Sequence, residues 1–533
     1  MKLLAARLFF CLLLFLGQAL PLRADNDKFA EATDLATFAL PYYGFIGGGG
    51  TAEAGEPAHA GSPAAHSYWF RWTPTTSAPC IIREFLNTTN TRIAIYTGNT
   101  LATLNVVAQG TEHVFFPTTA GVTYRIAIDS VGADVFQFKT YPPGGTDDLA
   151  SATPITGALP QRLHGNNVFA TTTAATDEDW YPSAPPQATV WWRWTAPAAG
   201  AIRLDSRLSD FETRLTAYER APGGSPVRVS LGFSTCGMKV QAGYDYLFCI
   251  DGTNNRGEID FWLESIPTTI PPNDNLANAT NLGSALIACD GGWIFNATAE
   301  TGVPNETITP WSYDHTLWWK WTCPQSGTYR FSQLGSDGSA GIYVFTGTPG
   351  SLTMITGLDL PEGVRIESIT AGTTYYIQIK DWKWSAVRAE LNIHPAATEP
   401  RYFTNFGSRG YFRLLGPQRH PAADPDGDGF SNEIEFACGT NPEVYNPNDP
   451  NLPRLTVSSG TKTFSWVEDS TYLTTTPGQP ISLKAQTSTN LSPTWLDATA
   501  TSSSGGRKTI TLPNSTRAFA RLNLTDPNWN PTP

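Results

Sequence analysis

Charge is scarce in this chain of 533 residues: Asp, Glu, Lys and Arg together make up 15 %. There are only three Met, seven His and seven Cys. The histidines (His59, His66, His113, His164, His315, His394 and His420) form no H-E-x-x-H motif, and no two share close metal-ligand spacing. The chain has no G-x-S-x-G elbow and no P-loop, and no spacing of carboxylates suggests a glycosidase pair. The sequence therefore reads as non-catalytic. After residue 24 no apolar run approaches the roughly 20 residues of a membrane span. Six cysteines over the remaining chain are too few for a disulfide scaffold.

What the chain does have is aromatic side chains (12 %, with 17 Trp) and 47 Gly and 41 Pro. That mixture suits many short strands joined by turns. The length implies roughly three to five structural units. Residues 1–24 combine a basic start (Lys2, Arg7), an apolar run from Leu8 to Leu16 and a small residue at Ala24, the pattern of a secretory signal peptide. Its removal takes away Lys2, Arg7 and Arg23, so the formal charge of −12 becomes −15. An acidic exterior argues against nucleic acid as a partner and suits a secreted, extracellular or cell-surface protein that meets divalent cations. Such a compartment permits disulfides. Cys236 and Cys249, thirteen residues apart, are the pair expected from spacing, about the length of two neighbouring strands and their turn, with Cys289–Cys323 a second choice among fifteen possible pairings.

Three copies of one unit follow. Each opens alike: DNDKFAEATDL at 25–35, TDDLASATPI at 146–155 and NDNLANATNL at 273–282. Each continues with HSYWFRWTP at 66–74, TVWWRWTAP at 189–197 or TLWWKWTCP at 316–324, and closes with AGVTYRIAIDS at 120–130, AGYDYLFCIDG at 242–252 or AGTTYYIQIKD at 371–381. These segments alternate with period two, as strands with a buried face do. Phe70, Trp192 and Trp319 share a face with Trp72, Trp194 and Trp321, and this wholly aromatic set is the expected core face. Trp69, Trp191 and Trp318 share the other with Arg71, Arg193 and Lys320. Exposed, these could stack on a sugar; packed, each ring would lie under its cation. The second arrangement fits better, because all three copies have it.

The ND-x₂-A-x-A opening, TAEAGEP (51–57) and ATAETGVP (297–304), the W-x-W-T strand, the YTG or FTG turn and the AG-x-x-Y strand together resemble the bacterial pre-peptidase C-terminal domain, over residues 25 to about 396. Copy two departs most, with AATDEDW in place of the ATAE motif. The resemblance implies secreted β-sandwiches, jelly-roll-like, appended to hydrolases or surface proteins. It also implies that Asp25, Asp27, Asp147, Asp148, Asn273 and Asp274 ligate a cation. Read by residue type alone, the same Asp and Asn side chains cap a turn or the short FAEAT-type helix.

DPDGDGFSNEIE (424–435) places carboxylates at loop positions 1, 3 and 5 (Asp424, Asp426, Asp428), glycine at 6 (Gly429), the Phe430 carbonyl at 7, Asn432 at 9 and Glu435 at 12. A calcium ion takes about six to eight oxygens near 2.4 Å, and this spacing wraps them round one point. Without a cation, the acids would repel by about 1 kcal/mol per pair in water and by more when shielded. NEIEFACG reads as a two-turn helix ended by Gly439, with Glu433 on its far side. Pro417 and Pro421 preclude a helix before the loop. The stretch resembles the thrombospondin type 3-like calcium repeat and, more distantly, half a dockerin, of which only one loop is present.

From about 451 the segments TKTFSWVE, ISLKAQTS, RKTITLP and RAFARLNL read as strands, and STNLSPTW with RAFARLNL resembles a small module that ends many secreted bacterial proteins. The expected organisation is all-β: a signal peptide (1–24), three sandwich repeats (25–143, 144–268, 269–396), a calcium-loop linker (397–450) and a C-terminal β-module (451–533). The expected role is adhesion to extracellular polysaccharide or matrix protein. An accessory subunit of a secreted hydrolase and an unrecognised hydrolase are the alternatives, and oligomeric state is left open.

Overall fold

The computed structural model describes residues 26–395 and 416–525, apart from 39, 48, 85–90, 131–132, 173–186, 253–254, 305, 307–313, 334, 338–339, 359–363, 383–386, 421, 459–460, 469–481, 489–494, 503–506 and 513–518. The signal-peptide segment and Asp25 lie outside the described residues. The fold is all-β, in repeated sandwich-like units.

The first unit carries nine strands: β1 Thr33–Asp34, β2 Tyr42–Gly47, β3 Ser67–Trp72, β4 Pro79–Glu84, β5 Arg92–Thr97, β6 Asn105–Thr111, β7 His113–Pro117, β8 Tyr124–Asp129 and β9 Ala133–Thr140. They form a five-stranded sheet, β1-β3-β8-β5-β6, facing a four-stranded sheet, β2-β9-β4-β7. All pairings are antiparallel except the short β1 against β3.

The second unit repeats this wiring with β10 Thr153–Ile155, β11 Gln161–Asn166, β12 Thr189–Thr195, β13 Gly200–Asp205, β14 Arg214–Arg220, β15 Val227–Phe233, β16 Thr235–Val240, β17 Asp245–Asp251 and β18 Glu258–Ser265. The third does so with β19 Thr280–Asn281, β20 Ala288–Trp293, β21 Asp314–Thr322, β22 Gly327–Ser332, β23 Gly341–Thr348, β24 Ser351–Leu358, β25 Val364–Ile369, β26 Thr374–Trp382 and β27 Arg388–Pro395. In both sheets every strand has its counterpart nine places on.

The aromatic strand lies at the centre of each unit for the reason its alternation predicts. Phe70 and Trp72, Trp192 and Trp194, and Trp319 and Trp321 fill the space between the two sheets. Trp69, Trp191 and Trp318 are buried as well, at 0–1 % exposure, in small clusters on the outer face of the five-stranded sheet. The packed reading of these three therefore holds, with one correction. Arg71 does not cover Trp69; it pairs with Asp34 at 3.1 Å, and it is Arg125 that lies over the Phe29 ring.

The units are joined by contact. Ile81, Phe115 and Tyr141 of the first pack on Val168 of the second, where Lys139 Nζ lies 2.8 Å from Asp210 and 2.9 Å from Glu258. Ala201 and Ile266 of the second pack on Trp293, Phe295 and Val387 of the third. Beside them is a buried ionic cluster of Arg203, Asp205, Arg207 and Asp337.

After the third sandwich comes a single turn of 3-10 helix, Gly416–Arg419, running beside β20. The helix α1 (Asn432–Cys438) follows, and Gly439 ends it in the left-handed region at φ 74°. Strands β28 Arg454–Ser458, β29 Thr461–Val467, β32 Thr501–Ser502 and β33 Arg507–Thr511 make one sheet, and β30 Ser482–Ser488, β31 Leu496–Ala498 and β34 Phe519–Thr525 another. Phe464, Trp466, Ala485, Ile510 and Leu512 of this module share one apolar cluster with Phe436, Ala437 and Cys438 of α1 and with Ile287 and Cys289 of the third sandwich.

The cysteine pairing expected from spacing does not form. Cys236 and Cys249 sit on strands of different sheets, β16 and β17. Cys236 points between the sheets, while Cys249 lies among Trp191, Tyr218 and Leu247 on the outer face, and neither is in a disulfide. Thirteen residues did span two strands and a turn, but the turn carries the chain from one layer to the other. Cys323 is likewise in the third inter-sheet core, apart from the cluster that holds Cys289.

Candidate metal centre

The acidic loop closes on itself. One carboxylate oxygen from each of Asp424, Asp426 and Asp428 lies within 4.8 Å of the others, and this is the one such grouping of metal-ligating side chains among the described residues. Backbone amides hold the acids in place. Gly427 N donates to Asp424 Oδ1 and Gly429 N to Asp424 Oδ2, both at 2.9 Å; Asp428 N donates to Asp426 Oδ1 at 3.1 Å and Phe430 N to Asp428 Oδ1 at 2.9 Å. The tight path needs φ of 76° at Gly427 and 96° at Gly429, values that a side chain would resist.

Both oxygens of Asp424 are engaged, but at Asp426 and Asp428 the amide engages one oxygen and leaves the other. Asp426 Oδ2 and Asp428 Oδ2 are buried and meet no donor among the described residues. Glu435 on α1 is wholly buried; its Oε1 accepts from Thr440 Oγ1 at 3.2 Å and its Oε2 meets no donor. Burial, then the charges of Asp426 and Asp428, push the Glu435 carboxyl up to about 8. Burial and the neighbouring aspartates raise Asp426 too. Buried acceptor oxygens without donors are costly, and they match what a hard divalent cation takes up.

Asn432, expected at position 9, commits its amide protons elsewhere and keeps its oxygen free of them. Its Nδ2 donates to the carbonyls of Gln418 (2.7 Å) and His420 (3.0 Å), tying α1 to the preceding turn, while its Oδ1 is buried and meets no donor. Phe430 is half-buried beside the apolar cluster.

The opening segments have a precise job that sequence reading left between two options. Asp27 accepts from Thr51 N at 2.5 Å and Thr51 Oγ1 at 2.8 Å. Asp147 does the same with Thr171 (2.6 and 2.7 Å), and Asp274 with Thr298 (2.5 and 2.6 Å). The separation is 24 residues each time. Asn273 donates to the Trp318 carbonyl, as Asn26 does to that of Trp69. Asp148 precedes a 3-10 turn without capping it by its side chain. The sequence reading missed two glutamates. Glu56 accepts from Trp69 Nε1 (3.0 Å), and Glu306 from Trp318 Nε1 (3.1 Å) and Gln378 Nε2 (2.9 Å). In the first unit His59 bridges Glu56 to Tyr96, with 3.2 Å on either side. The signal was present in the TAEAGEP and ATAETGVPNE stretches, which precede Trp69 and Trp318.

No family model matches this chain, and no curated protein matches it. Among solved structures, the CUB1-EGF-CUB2 domains of rat MASP-1 align over 46 % of this chain and 99 % of that one, at 10 % identity and a TM-score of 0.12. A score so low supports no argument about fold or role.

Proposed function

We propose that this chain is a secreted, non-catalytic scaffold that binds extracellular polysaccharide or matrix protein, and that a calcium ion clamps the joint between its third sandwich and its C-terminal module. The observation that carries the proposal is the buried, donor-less set Asp426 Oδ2, Asp428 Oδ2 and Glu435 Oε2 beside Asp424. These residues, with the Phe430 carbonyl, would hold the ion, whose charge would offset their mutual repulsion. The residue chemistry is all oxygen, as calcium prefers over softer metals. The clamp would matter mechanically because the short helix α1 carries both Glu435 and the residues Phe436, Ala437 and Cys438 of the shared apolar cluster.

The binding role rests on the resemblance of the three repeats to pre-peptidase C-terminal domains and of the loop to thrombospondin type 3 repeats. Co-sedimentation with insoluble polysaccharides and with collagen, with and without chelator, tests it. Retention that a chelator reduces supports the whole reading, and no retention on any such surface overturns the binding half. Calcium titration followed by calorimetry tests the clamp separately: heat of binding at one site, lost in Asp428→Ala, is expected, and equal heats in the two proteins would refute it.

A further inference from the structure

Six cysteines occupy the described part of the chain, all of them buried and none of them in a disulfide in this structure. Cys80, Cys236, Cys249 and Cys323 each belong to a different apolar cluster. Only one cluster holds two: Cys289 and Cys438 share the one that joins the third sandwich, α1 and the C-terminal module. Cys289 belongs to β20, an edge strand whose Ala288 faces the inter-sheet core, so that Ile287 and Cys289 turn outward. Cys438 is the last residue of α1, three positions after Glu435. The turn at Gly416–Arg419 lies beside β20 and accepts through its Gln418 carbonyl from Asn432, so it links the helix to that strand.

We propose that Cys289 and Cys438 are the disulfide-forming pair of this chain, a covalent clasp between the third sandwich and the helix of the acidic loop. The reaction is exchange with a small-molecule or protein disulfide. One cysteine, as thiolate, attacks a sulfur of the oxidant and releases one thiolate from it. The second cysteine then attacks the mixed disulfide and releases the other. One S–S bond breaks and one forms; the two protons lost by the cysteines end on the two released thiols, and the electron pair resides there. Because both thiols are buried in the finished joint, the bond forms during folding or on transient opening. The other four cysteines, each in an apolar cluster with no second thiol, stay reduced; burial pushes Cys80 and Cys236 up to about 12, which keeps them from competing as thiolates. A disulfide also needs Cα atoms about 4.4–6.8 Å apart, so its detection would fix the spacing of the joint.

The test uses the full chain, incubated natively with oxidised glutathione and, in parallel, refolded from denaturant in a glutathione couple. Residual thiols are alkylated under denaturing conditions and the digest is read by mass spectrometry without reduction. The expected result is one cross-linked peptide pair containing Cys289 and Cys438, with Cys80, Cys236, Cys249 and Cys323 alkylated. In Cys438→Ser the linked pair vanishes and Cys289 is recovered alkylated. A second readout needs no variant: protease cleavage between residues 290 and 437 leaves fragments that stay together on a non-reducing gel and part with reductant. Recovery of Cys289 and Cys438 as alkylated thiols or separate glutathione adducts from both arms would overturn the proposal. So would a bridge from either to any other cysteine. None of these readouts depends on calcium, so a failed clamp and a failed clasp are told apart.

Discussion

Arg203 of the second sandwich donates from Nη2 to Asp337 Oδ1 of the third at 2.7 Å, and neither side chain is more than 1 % exposed. Asp205 and Arg207 complete the cluster, and Glu264 receives the other arm of Arg203 at 2.7 Å. Two units that could have been beads on a string are therefore locked through ions that water cannot reach.

Asp337→Ala is expected to destabilise this joint strongly, because it leaves two guanidiniums facing a loss of negative charge in a dry setting; breaking such a pair typically costs about 3–5 kcal/mol. Denaturant unfolding with hydrogen exchange on β13 and β22 measures it. A change under about 1 kcal/mol, the range of surface pairs, would mean that the cluster is solvated after all.

The same cluster sets an acid response. Burial alone would raise the Asp205 carboxyl, but Arg203 and Arg207 more than reverse that and hold it well below the usual carboxylate range. A depressed carboxyl contributes stability that is fully present above its unfolded value and is lost only as pH falls through the depressed one. The second and third units should then melt together down to acidic pH, and in Asp205→Asn they should separate into two transitions by calorimetry. A single transition in the variant would count against the idea.

The acidic loop should respond in the opposite direction. With Glu435 raised from 4.5 to about 8, ion-free protein binds that proton more tightly folded than unfolded, so stability falls as pH rises through this window. Calcium removes the penalty. The gain in melting temperature on adding calcium to chelator-treated protein is expected to be larger near pH 8.5, above the raised value, than near pH 5.5, where ion-free folded protein still holds the Glu435 proton. Equal gains at both pH values would show that Glu435 is not part of the clamp.

Trp69→Ala is expected to cost about 3–5 kcal/mol, as removal of a buried aromatic does. Glu56→Gln should cost less, since an amide oxygen can still accept from the indole, whereas Glu56→Ala strands the buried donors of Trp69 and His59 at about 1–3 kcal/mol. Melting curves of the three variants rank them. If Trp69→Ala melted like the parent and only weakened polysaccharide retention, the ring would be a binding platform instead.

The wiring of the sandwiches was legible because the aromatic strands alternate strictly and recur at nearly constant distance. The helix after the loop was legible for a similar local reason, with Gly439 ending it as expected. Asp424, Asp426 and Asp428 converge because their spacing and the glycines between them leave little choice. What sequence could not give were relations across layers. Cys236 and Cys249 are near in the chain and in different sheets. Asn432 turned its amide to a 3-10 turn fourteen residues back. The Asp27–Thr51 type of clamp recurs in all three units, yet its partner is 24 residues away, too far for a capping rule to find. The junctions between units use single residues such as Val168 and Asp337 that no repeat pattern marks.

The apolar cluster that straddles the third sandwich, α1 and the C-terminal strands blurs the boundary drawn at 396. A protein cut there would turn Ile287 and Cys289 out to water along a sheet edge, an invitation to self-association. Dissection of this chain into soluble pieces should therefore leave everything from the third sandwich onward in one piece.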